Sequence, residues 1–163
     1  NQHMMTTLKQ AAKDFLSLKT IAVAGVSRTK ENAANFIYRK LRAEGYRVFA
    51  INPHATTVEG DVCYPNLKGI PEKPEGVVIV TKPEVTHQIV KDCAELEIKN
   101  VWMHKGIDSK TASVSEEAVK FCREHNITVI PGACPMMYIH HADMGHRIMR
   151  WMKNLSGSLP KEI

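Results

Sequence analysis

No two cysteines in this chain form a C-x-x-C pair; Cys63, Cys93, Cys122 and Cys134 lie far apart. A disulfide framework is therefore not expected, and the usage fits a reducing, cytoplasmic setting. No apolar run reaches membrane-spanning length, and the start lacks the charged, then apolar, series of a secretion signal. Aromatic residues are only 6% of the chain, too few to interleave with basic side chains on a nucleic acid. The phosphate loop G-x-x-x-x-G-K-[ST] is missing, and so is a nucleophile elbow with Ser-His-Asp order. No catalytic residue is expected.

What is present suits one globular domain. The 163 residues are 44% hydrophobic and 24% charged, enough for a sizeable core. The net charge of +5 is mild, and its carriers, such as Arg39, Lys40 and Arg42, read as solvated helix faces. Such a balance suits a polyanionic small ligand rather than nucleic acid or a membrane. Asn1-Gln2-His3 before Met4-Met5 reads as a cloning remnant, which sets residues 1–4 aside.

Strand-like and helix-like segments alternate from there. A leading helix is expected over Leu8 to Leu18, and strands at Lys19–Ala24, Tyr46–Ile51, Gly76–Val80, Asn100–Met103 and Ile127–Ile130. Helices are expected at Asn32–Glu44, at Pro83–Glu97 with Val85, Ile89, Cys93 and Leu96 inward, and from a Ser113-x-x-Glu116 capping box to His125. His54 to Glu75 carries three prolines and two glycines, and reads as loop. A last amphipathic helix starts near Ile139. The pattern predicts an α/β, Rossmann-like three-layer domain over 5–138, with a five-stranded parallel sheet, followed by a helix and tail over 139–163.

Ligands of such sheets sit outside the carboxyl ends of the strands, so the five strand-end loops carry the functional reading. Gly25-Val26-Ser27-Arg28 offers a bare backbone, a hydroxyl and a guanidinium before a helix start, a phosphate-binding set that keeps only one glycine of G-x-G-x-x-G. Asn52-Pro53-His54 closes the second strand without the carboxylate that NAD would require there. An acid-free tip accepts a ribose bearing a phosphate, as in NADP or coenzyme A. The bland alternative is a plain Asn-Pro turn. Thr81-Lys82-Pro83 adds a hydroxyl, an ammonium and a proline suited to a first helical turn. His104-Lys105-Gly106 and Pro131-Gly132-Ala133-Cys134-Pro135 are expected to bring backbone to the same crevice.

The segments I-A-V-A-G-V-S-R, G-Y-R-V-F-A-I-N-P, V-V-I-V-T-K-P and W-M-H-K-G-I together resemble the bacterial CoA-binding domain family. That family is similar to the N-terminal domain of the succinyl-CoA synthetase alpha subunit. The resemblance covers about Phe15 to Pro135. It implies a domain that grips the ADP end of coenzyme A or an acyl-CoA as a non-catalytic binder, carrier or regulator. By the same resemblance, Gly25, Val26, Ser27 and Arg28 line the diphosphate, and Asn52, Pro53 and His54 border the adenosine and its 3′-phosphate. Thr81, Lys82 and Pro83 close the other side, Asn35 caps the pocket, and Gly106 joins the site.

Competing readings are an NADP-linked oxidoreductase and a protein-interaction module without ligand; a homodimer or a protein partner fits any of them. Cys134, His140, His141 and His146 include one metal-like spacing, but a single cysteine accompanies them and no metal is expected. Cys134 itself reads as a packed thiol rather than a nucleophile.

Overall fold

The computed structural model describes residues 7–29, 31–106 and 112–139. Within them the chain forms a seven-stranded sheet between two helical layers. Helix α1 (Leu8–Leu16) precedes β1 (Thr20–Ala24), whose last four residues are buried. α2 (Ala33–Ala43) returns the chain to β2 (Arg47–Ile51). β3 (Thr57–Val58) and β4 (Asp61–Tyr64) follow, then β5 (Gly76–Ile79), α3 (Pro83–Leu96) and β6 (Asn100–Met103). α4 (Glu116–Glu124) leads into β7 (Thr128–Pro131).

The order is β3-β4-β2-β1-β5-β6-β7, with every pairing parallel except that between β3 and β4. The expected α/β layering stands, and the five expected strands form a contiguous parallel run within it. The count of five does not stand. β3 and β4 make a hairpin inside the His54–Glu75 segment expected as loop, closed by Glu59 (φ 51°) and Gly60 (φ 80°). A two-residue turn with both φ values positive matches the natural strand twist, and β4 then pairs alongside β2.

Side chains alternate across the sheet. Ile21, Val23 and Val78 pack under α1 and α2, while Ala22, Ala24, Val77 and Ile79 pack under α3 and α4. Such two-sided burial is what continuous apolar strands predict. On the first face Trp102 is fully buried, meets Phe15 edge-on at 5.5 Å, and donates its indole N–H to the Gly132 and Ala133 carbonyls.

Three helix details differ from expectation. α3 buries Thr86, Val90 and Cys93, and Val85 is exposed, because the helix sits one residue further round. α4 is capped by Ser115 through the Ala118 amide, not by Ser113. A helical stretch covers 135–139, so it opens at Pro135 ahead of the expected Ile139, and the rest of that expected helix lies outside the described residues. Arg39 and Arg42 are not simply solvated. Arg39 bridges Glu31 and Glu59 at 2.8 and 2.9 Å, and Arg42 holds Asp61 at 2.8 Å.

Candidate functional site

The chain reverses its direction of travel across the sheet between β1 and β5, the place where α/β folds open a crevice. Gly25 follows β1 there with φ 106°, and a Cβ on it would lie 2.1 Å from the Val80 carbonyl oxygen. Only glycine fits, which keeps the backbone at this tip uncovered. The Gly25 amide donates to the Ile51 carbonyl, and the Val80 amide donates to the Ala24 carbonyl, so three neighbouring tips are locked in step.

A cavity of about 930 Å³ opens at these tips. Gly25, Asn52, Pro53, His54, Thr81, Lys82 and Pro83 line it, and with them Asn32 and Ala33 at the start of α2. Its walls are mainly apolar: Ile51, Leu67, Val80, Val85 and Ile89. Two helix N-termini therefore face one hollow. Anions are stabilised at such ends by unpaired amides and the helix dipole. Lys82 stands at the cap of α3, and its ammonium makes no ion pair among the described residues.

Other expected site residues are placed differently. Val26 is fully buried. Ser27, Arg28 and Asn35 line a second, polar cavity of about 560 Å³ on the far side of the same loop, with Glu31 and Glu59. Asn35 is itself buried and works as a strut: it accepts from the Ser27 amide and donates to the Ser27 carbonyl and to Glu59. Arg28 reaches back to the His54 carbonyl at 3.3 Å. Asn52 is committed inside the protein, donating to the Val26 carbonyl and accepting from the His54 amide, both at 2.8 Å. The turn-forming reading thus accounts for its side chain. Gly106 lies outside the cavity lining. The fifth loop departs from expectation too, because its Gly132 and Ala133 carbonyls serve Trp102 and not the crevice.

The sequence reading missed Ser113 and underrated His104. Ser113 Oγ accepts from the Thr81 amide at 2.9 Å, and its carbonyl accepts from the Thr86 hydroxyl at 2.7 Å, fastening the third tip from outside the five loops. Its place in an S-x-x-E pattern disguised it as a helix cap. His104 is 4% exposed and lines the cavity, and burial lowers its pKa below the ordinary imidazole value. Burial likewise pushes the pKa of the half-buried Cys134 thiol up. Among the described residues no cluster of His, Cys, Asp and Glu could hold a metal, and His140, His141 and His146 lie outside them. No helix among the described residues is long and apolar enough to cross a membrane.

The family model described as a CoA binding domain matches residues 19–141. The chain belongs to that family. The match spans both sides of the switch point and every loop that lines the cavity. An ADP-forming acetate–CoA ligase (II) of Archaeoglobus fulgidus is 24% identical over 123 residues, which is 72% of this chain and 18% of the ligase. The chain thus spans about a fifth of the length of the curated relatives it matches. Among solved structures, a hypothetical protein from Pyrococcus horikoshii OT3 is 29% identical with a TM-score of 0.73, covering 86% of this chain and 94% of that one. The dinucleotide-forming acetyl-coenzyme A synthetase 1 of Ca. Korarchaeum cryptofilum, in apo form, is 25% identical with a TM-score of 0.58. That match covers 68% of this chain and 25% of the synthetase. The three relatives named are archaeal, and the family expectation stands at the level of the CoA-binding domain.

Proposed function

We propose that this domain binds coenzyme A or an acyl-CoA by its ADP end in the main cavity, as a binder or carrier without chemistry of its own. The convergence of two helix N-termini and the Lys82 ammonium, unpaired among the described residues, on one apolar hollow carries this reading. A nucleotide diphosphate needs such positive ends, and its adenine needs the flat apolar walls. The residues fit the ligand: bare backbone at Gly25, cationic Lys82, and no carboxylate at the tip of β2. His54, exposed at the rim of this cavity, borders the 3′-phosphate. The family and the CoA-bearing names of the archaeal relatives support the same ligand.

Calorimetry with CoA, dephospho-CoA and NADPH tests the proposal. Saturable binding of CoA is expected, with dephospho-CoA weaker by about tenfold or more for one lost charge-assisted contact. Equal affinity for the two CoA forms removes the 3′-phosphate assignment. NADPH binding in preference to CoA overturns the ligand itself.

A further inference from the structure

His104 is buried at the wall of the main cavity, and its side chain makes no hydrogen bond among the described residues. Its backbone is fully engaged, the amide with the Ile79 carbonyl at 2.9 Å and the carbonyl with the Ser113 amide at 2.8 Å. The ring is therefore held on a rigid strand end. Nδ1 is shut away from solvent without a partner. That leaves Nε2 as the nitrogen available to the cavity. Buried imidazoles rarely remain unpaired, because an unmet polar group gives up its hydration with nothing in return.

Ser113 stands beside it on the neighbouring backbone and is 3% exposed. Its oxygen already accepts from the Thr81 amide, which leaves its own O–H proton to be donated. A hydroxyl proton with no acceptor among the described residues asks for one from the ligand. A neutral imidazole can present an N–H at Nε2 and satisfy the same atom.

Resting on the CoA reading above, we infer that His104, with Ser113, hydrogen-bonds a carbonyl oxygen on the thiol-bearing arm of the ligand. The carbonyl belongs either to an amide of the pantetheine arm or to the thioester of an acyl group. Either source meets the same two donors.

The test compares three ligands, adenosine 3′,5′-bisphosphate, CoA and acetyl-CoA, against wild type, His104→Leu and His104→Gln, by calorimetry. His104→Leu is expected to weaken CoA and acetyl-CoA by about fivefold to tenfold, the worth of one hydrogen bond, and to leave the bisphosphate unchanged. A loss confined to acetyl-CoA assigns the thioester carbonyl; an equal loss for both assigns an amide of the arm. His104→Gln, which keeps a donor, recovers most of the affinity. The ligand-free His104→Leu protein is expected to melt higher than wild type, since it removes an unpaired buried polar group. A purely structural histidine would show the reverse. Unchanged affinities, or an equal loss for all three ligands, overturn the inference while sparing the CoA reading. Wild type that binds none of the three overturns both.

Discussion

The amide of Ser27 donates to Oδ1 of Asn35 at 2.9 Å, and Nδ2 of Asn35 donates back to the Ser27 carbonyl at 2.8 Å. This reciprocal pair fixes the first strand-end loop from a buried position on α2. The same amide group also reaches Glu59 at 2.7 Å, so the β3–β4 turn is tied in as well. Asn35→Ala is expected to destabilise the fold by about 2–3 kcal/mol, from lost and unsatisfied hydrogen bonds. Asn35→Asp is expected to cost more, since it removes two donors and sets a second carboxylate against Glu59. Urea unfolding ranks the two variants, and Asp tolerated better than Ala would contradict the strut.

Gly25 is the most demanding position in the site. Gly25→Ala must accept both a left-handed backbone and a Cβ pressed into the Val80 carbonyl. Destabilisation of about 3–5 kcal/mol is expected, with loss of ligand binding in any fraction that folds. Gly45 provides the control. Its φ is 93° but open space surrounds its Cβ position, so Gly45→Ala should cost only about 1–2 kcal/mol. Equal effects at the two positions would show that crowding against Val80 plays no part.

Lys82 tests the electrostatic side of the proposal. Lys82→Ala is expected to weaken CoA by about tenfold, and the deficit should shrink as salt is raised. Thermal stability without ligand should hardly change, because the side chain is exposed and makes no ion pair among the described residues. Undiminished CoA affinity in calorimetry would remove Lys82 from the site.

His104 also predicts a pH dependence. Burial lowers its pKa in the folded protein below the ordinary value of 6.5, so the unfolded chain takes up the proton first. Stability from this group is complete above that value and declines as pH falls through it. The slope cannot exceed one proton, about 1.4 kcal/mol per pH unit. Unfolding curves of wild type and His104→Leu between about pH 7.5 and 5.5 should therefore diverge toward acid. Parallel curves would show that the imidazole titrates as freely as in the unfolded chain.

Much of the fold could be read from the sequence because its strands are buried on both faces. Runs such as I-A-V-A and G-V-V-I have no other comfortable place than the middle of a parallel sheet. The β3–β4 hairpin escaped because its strands are two and four residues long, and prolines on either side dominate the local signal. Its turn, Glu59-Gly60, lacks the Asn-Gly or Asp-Gly pair that marks such hairpins most clearly. In the site, residues adjacent to strand ends were legible, since topology alone brings Gly25, His54 and Lys82 together. Ser113 and Asn35 were harder. Each acts through contacts across 32 or 8 positions of sequence, which no local pattern encodes. Asn52 shows the opposite error: its position was right, but the turn itself consumes its hydrogen-bonding groups.

The seven-stranded sheet ends in one very short strand and one closed by proline. β3 offers two residues to a newcomer, and β7 finishes at Pro131, which has no amide hydrogen to give. Among the described residues neither border is a good template for another chain. Concentrated solutions of this domain should accordingly resist fibre formation, even though its middle strands, taken as free peptides, are the apolar, charge-poor kind that stack readily.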